Sequence, residues 1–114
     1  MIGGNRGNRV FAWAAPADLR KGYNGLYALV VNHLRCEVRA GDYFLFVNRR
    51  RTSCKILFYD GTGLCILMKR LDKGRFARLW RPDAERGRVE LKPSELALYL
   101  EGCEIVGFHR LAPD

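Results

Sequence analysis

Between Arg49 and Arg81, ten bases (Arg49, Arg50, Arg51, Lys55, Lys69, Arg70, Lys73, Arg75, Arg78, Arg81) face two acids, Asp60 and Asp72. Ten minus two gives this third of the chain the whole net charge of +8, and the remaining residues balance ten bases against ten acids. Guanidinium and ammonium groups gathered in this way donate charge-assisted hydrogen bonds to phosphate, so the chemistry they support is polyanion binding, nucleic acid first. Arg49-Arg50-Arg51-Thr52-Ser53 offers three guanidiniums and two hydroxyls on one loop. From Lys69 to Arg81, six bases interleave with Phe76 and Trp80. Those aromatics either stack on nucleobases or anchor the segment to a core.

A second cationic site is Arg20-Lys21, just after Asp18 at the expected start of a helix. Cations there oppose the helix dipole, at a cost of up to about 1 kcal/mol each. One reading is a phosphate held by Arg20, Lys21 and free backbone N–H groups; the other is a solvated turn whose charge pairs with Asp18. The candidate nucleic-acid-binding set is therefore Arg20, Lys21, Arg49, Arg50, Arg51, Lys69, Arg70, Lys73 and Arg75. Contacts from the seven rim bases, Arg49 to Arg51, Lys69, Arg70, Lys73 and Arg75, would make log affinity fall against log salt with a slope of about −6.

Signatures of other chemistry are missing from the sequence. It holds no Walker loop, no G-x-S-x-G and no H-x-E with C-x-x-C, so neither a catalytic residue nor a cofactor is expected. Asp60, followed by Gly61, reads as turn chemistry and not as half of a two-metal site. Cys36, Cys54, Cys65 and Cys103 are spaced by 18, 11 and 38 residues, a pattern of free thiols in a reducing compartment. His33 and His109 belong to no ligand cluster, and no metal site is expected.

The elements that must position these residues follow from periodicity. With 114 residues and 48% apolar content, the chain suits one globular domain. No run approaches the roughly 18 apolar residues of a membrane span, and the start lacks a signal-peptide core, which together predict a cytoplasmic protein without a membrane partner. Residues 1–8, rich in Gly and Asn, read as a flexible arm, residues 9–104 as the domain and 105–114 as a tail. Arg9 to Ala15 is a strand candidate ending at Pro16. A helix is predicted from Leu19 to Leu34 or Arg35, capped by Asp18, with Leu19, Tyr23, Leu26, Tyr27, Val30 and Leu34 as its apolar stripe. Gly22 and Gly25 within it should mark a close approach to the helix backbone.

Tyr43 to Val47, Lys55 to Tyr59 and Leu64 to Met68 read as an antiparallel meander, its second turn made by Asp60-Gly61-Thr62-Gly63. The last two runs are apolar on both faces, so helices must cover one side and a partner could cover the other. Arg88 to Leu91 reads as a last strand, and Pro93-Ser94-Glu95 opens a helix that stops at Gly102. The expected fold is α+β: an antiparallel sheet of about five strands with a central three-stranded meander and two packed helices.

Several ordered segments carry a resemblance. Asp18-Leu19-Arg20-Lys21-Gly22-Tyr23-Asn24-Gly25-Leu26, Gly41-Asp42-Tyr43-Phe44-Leu45-Phe46, Lys55-Ile56-Leu57-Phe58-Tyr59-Asp60, Gly63-Leu64, Lys69-Arg70-Leu71 and Lys73-Gly74-Arg75-Phe76 occur in this order. Together with Leu91 to Glu104, they resemble the TnpB-type accessory proteins, encoded by a second open reading frame, of the insertion-sequence-66 family of bacterial transposable elements. The Gly/Asn-rich start and the weakly basic tail depart from that pattern. The resemblance implies a protein needed beside a separate transposase that carries the strand-transfer chemistry, and no enzymatic activity of its own.

These readings converge on a non-enzymatic accessory factor for transposition that binds DNA through a basic sheet rim, with the transposase or another element-encoded protein as further partner. The rival is a module bridging the transposase to other element-encoded proteins through exposed aromatics, for which Trp13, Trp80 and Phe44 are the candidates. A third class, binding of the element's own transcript, lacks the aromatic pattern of an RNA-recognition motif. Self-association is compatible with the sequence, which does not set the oligomeric state.

Overall fold

Tyr43–Val47 is an unbroken apolar run, too short for a helix and without a polar face, so it must lie inside a sheet covered on both sides. In a computed structural model describing residues 8–102, all five of its residues are buried. This strand, β2, is the middle of a five-stranded sheet with β1 (Val10–Trp13), β3 (Ser53–Tyr59), β4 (Leu64–Arg70) and β5 (Arg88–Leu91). The spatial order is β4-β3-β2-β1-β5. The meander β2-β3-β4 and the strand Arg88–Leu91 form as the sequence predicts.

The sheet is mixed, not wholly antiparallel. β1 and β2 run parallel, with Val10 opposite Tyr43 and Ala12 opposite Leu45, while β5 lies antiparallel on the other side of β1. Parallel neighbours need a long crossover, and the segment containing the first helix supplies it. That helix, α1 (Tyr23–Leu29), continues as π-type turns through Val30–Leu34 and ends where Arg35 takes a left-handed φ of 58°.

The helix starts at Tyr23 and not at Leu19. The Asp18 side chain caps a local turn instead, accepting from the Arg20 N–H at 3.0 Å, and Gly22 is extended. Such a turn competes with the helix for the same backbone donor. Of the two glycines, Gly25 is the one closely approached: a Cβ there would lie 2.9 Å from the Lys21 Cβ, whereas Gly22 has open space around it.

Alternation sends the side chains of the sheet to two cores. Phe11, Phe44, Phe46 and Leu57 pack against Leu26, Val30, Leu34 and Val38 on the α1 side. Val10, Ala12, Tyr43, Leu45, Cys54 and Ile56 pack on the other side against Leu96 and Tyr99 of α2 (Pro93–Leu100) and against Phe76, Ala77 and Leu79. The face that the sequence left open to a partner is thus covered by the chain itself. α2 begins as expected, with Pro93 in its first turn and the Glu95 carboxylate accepting from the Lys92 N–H at 2.8 Å. No helix among the described residues is long and apolar enough to cross a membrane.

Tyr99 sits at the centre of the second core, its ring 5.0 Å from that of Phe76 at an interplanar angle of 10°. Its hydroxyl is buried without a hydrogen-bond partner among the described residues, and burial raises the phenol's pKa above its ordinary value. A buried, unmatched hydroxyl costs about 1–3 kcal/mol. Tyr99→Phe is therefore expected to raise stability by about 1 kcal/mol. Urea unfolding checks this, and a loss of stability would show that the hydroxyl is satisfied in solution.

Candidate nucleic-acid interface

The strand directions bring the basic segments to one end of the sheet. β1, β2 and β4 finish there and β3 and β5 start there, as the pairs Val47 with Cys54, Ser53 with Arg70 and Trp13 with Arg88 show. The loop joining β2 to β3 carries Arg49, Arg50 and Arg51, and the end of β4 carries Lys69 and Arg70. Backbone hydrogen bonds tie these distant segments together.

Those ties are specific. The Asn48 side chain closes the β2–β3 loop by accepting from the N–H groups of Thr52 at 2.9 Å and Ser53 at 3.1 Å. The Leu71 N–H donates to the Thr52 carbonyl at 2.8 Å, and the Phe76 N–H to the Arg51 carbonyl at 2.7 Å. Arg51, left-handed at φ 60°, returns a bond from Nη1 to the Phe76 carbonyl at 3.1 Å. The two basic stretches of the sequence are therefore stitched into one surface, with Lys73 and Arg75 held beside the arginine loop. The Ala17 N–H donates to the Val47 carbonyl at 2.8 Å, which brings the Arg20-Lys21 turn to the same end.

Within this set the side chains divide by what they already hold. Arg20 forms a two-point ion pair with Asp18, Nε to Oδ1 at 3.0 Å and Nη2 to Oδ2 at 2.8 Å. The guanidinium and its backbone N–H hold the Asp18 carboxyl well below the usual carboxylate range. Lys69 Nζ caps the carbonyl of Leu100 at 2.6 Å, and Arg51 braces Phe76. Arg49, Arg50, Arg70, Lys73 and Arg75 are exposed, and no hydrogen bond or ion pair to another described residue engages their side chains. Lys21 is exposed as well, and its carbonyl accepts from Lys55 Nζ at 2.9 Å. Lys55 was not among the sequence candidates, although a lysine interrupting an apolar strand was a visible signal that its ammonium reaches beyond the sheet.

Two carboxylates at the opposite end are already engaged by hydrogen bonds. Asp42 is buried there and accepts from the Arg9 backbone at 2.9 Å and from its guanidinium at 3.3 Å. Asp60 closes the β3–β4 turn by accepting from the N–H groups of Thr62 and Gly63, both at 3.0 Å, which lowers its pKa to about 2.

The aromatics do not form the exposed set that the bridging alternative required. Phe44 is fully buried, and Trp13 and Trp80 are half-buried. Trp13 is edge-on to His33 at 5.8 Å, and Arg78 lies over Trp80 at 5.7 Å. Phe76 is an anchor, stacked in the core. Cys36, Cys54 and Cys65 are free thiols, and burial pushes Cys54 up to about 12, so it stays protonated and unreactive near neutral pH. Cys103 and His109 lie outside the described residues.

The chain is 34% identical over 104 residues to the uncharacterized protein y4jC of Sinorhizobium fredii (strain NBRC 101917 / NGR234), covering 91% of this chain and 86% of that protein. It is 35% identical over 100 residues to the uncharacterized protein y4hO of the same organism, covering 86% of this chain and 84% of that protein. No solved structure matches it. The family model described as IS66 Orf2 like protein matches residues 8–110, which takes in every basic and core segment above, and the chain belongs to that family, associated with insertion-sequence transposition.

Proposed function

We propose that the chain is a non-enzymatic accessory factor for DNA transposition that binds duplex DNA through the basic end of its sheet, beside a separate transposase that performs strand transfer. The observation that carries this reading is the convergence of Arg49, Arg50, Arg70, Lys73 and Arg75, unengaged and exposed, on one end of a rigid sheet. Loops without a groove-reading helix position a duplex more than they read it, so selectivity for sequence is weak. Family membership supports the transposition context.

The test is a salt titration of binding to a labelled duplex carrying the element's terminal repeat, beside an unrelated duplex and a single strand. Because Arg51 and Lys69 of the seven rim bases already hold partners, five rim contacts remain, and the slope of log affinity against log salt is expected to be about −4 to −5. A flat salt dependence, or no binding at low salt, sinks the proposal.

A further inference from the structure

Among the described residues, one edge of the sheet is β4, seven residues long and paired only with β3. The Leu71 N–H donates to Thr52 and the Gly63 carbonyl accepts from Asp60, so the odd-numbered backbone groups of this strand face β3. Alternation then turns the backbone N–H and C=O groups of Leu64, Ile66, Met68 and Arg70 outward. The strand also leaves apolar side chains uncovered: Met68 is 57% exposed and Leu67 37%. Proteins blunt such an edge with charge. Here the charges, Lys69 and Arg70, are confined to one end, and the other end opens on the carboxylate of Asp60.

We propose that two copies of the chain pair β4 against β4 antiparallel, joining two five-stranded sheets into one of ten. Full overlap of Leu64–Arg70 with itself centres on Leu67. In that register Ile66 faces Met68 and Leu64 faces Arg70, so outward backbone groups meet outward groups and exchange hydrogen bonds. Leu67 meets the partner's Leu67 in a non-hydrogen-bonded pair, where Cα atoms approach to about 4.5 Å. Lys69 and Arg70 run toward the partner's Asp60 turn, whereas parallel pairing would stack Lys69 on the partner's Lys69. The contact is self-complementary and closes after two copies, while a head-to-tail contact with β5 would leave free edges and grow. β5 is also short, four residues, with Pro93 soon after it. The pairing does not depend on DNA binding; it points the two basic ends in opposite directions along the joined sheet.

Sedimentation of the full chain is expected to give twice the monomer mass. Leu67→Cys should yield a disulfide-linked dimer under a mild oxidant, because about 4.5 Å lies within disulfide reach. At least about tenfold less should form with Leu98→Cys, which stands 50% exposed on α2, or with the unmodified chain. Met68→Pro removes an outward donor and leaves the ladder to β3 intact, so it should be a monomer with an unchanged far-UV spectrum. A monomer at every concentration overturns the proposal. So does a dimer in which Leu67→Cys stays uncrosslinked, or one that Met68→Pro leaves whole.

Discussion

Arg49→Glu combined with Arg50→Glu is expected to weaken duplex binding by about a hundredfold and to lower the salt slope by about 2. Both side chains are exposed at the tip of the β2–β3 loop and hold no described partner, so the change removes no internal contact. A unit charge about 4 Å from a phosphate is worth roughly 1 kcal/mol in water, and reversal converts attraction into repulsion of similar size. Two reversals amount to about 4 kcal/mol, which screening at moderate salt cuts to roughly 2–3 kcal/mol, or about a hundredfold. Lys92→Glu is the control, since Lys92 is exposed at the opposite end of the sheet, next to β5. Its effect should stay within about threefold, because it alters net charge without removing a contact. Equal losses from both ends would mean that binding follows net charge alone and has no located site.

Phe76→Ala is expected to destabilise the fold by about 3–5 kcal/mol. The ring is fully buried and stacked on Tyr99, and its backbone N–H and C=O are both bonded to Arg51. Truncation leaves a cavity between the connection after β4 and α2, which the bonded backbone resists closing. Urea unfolding monitored by far-UV absorption of the backbone measures the shift, and the denaturant slope should stay constant. A cost below about 1 kcal/mol would show that the segment carrying Lys73 and Arg75 is not held by this ring. Trp80→Ala, at a half-buried position, should cost less.

Much of the fold was legible because its signals are local. The apolar run Tyr43 to Val47, the Asp60 to Gly63 turn and Pro93 opening α2 each carry their conformation in a few adjacent residues, and all three appear in the structure. The helix starts later than the sequence predicts because Asp18 serves two competing local structures. An Asp before Leu-Arg-Lys-Gly reads as a helix cap, yet the same carboxylate closes a turn on Arg20 when Gly22 breaks the run. Which aromatics are exposed was not legible at all. Phe44 and Phe46 alternate with Tyr43 and Leu45, and a strand buried on one face or on both has the same composition until the covering elements are placed.

The sequence by itself determined that this chain concentrates its positive charge in one third of its length and that this third is folded into strands and turns. Charge and short-range periodicity are properties of neighbouring residues. Only the tertiary structure decided that β1 lies parallel to β2, that α2 and the Phe76 segment close the second face, and that Arg20, Arg51 and Lys69 are engaged while Arg49, Arg50, Arg70, Lys73 and Arg75 are not. Those outcomes depend on strand register and on contacts between residues distant in the chain, where burial of both faces of one sheet selects a single arrangement from many that satisfy the same local pattern.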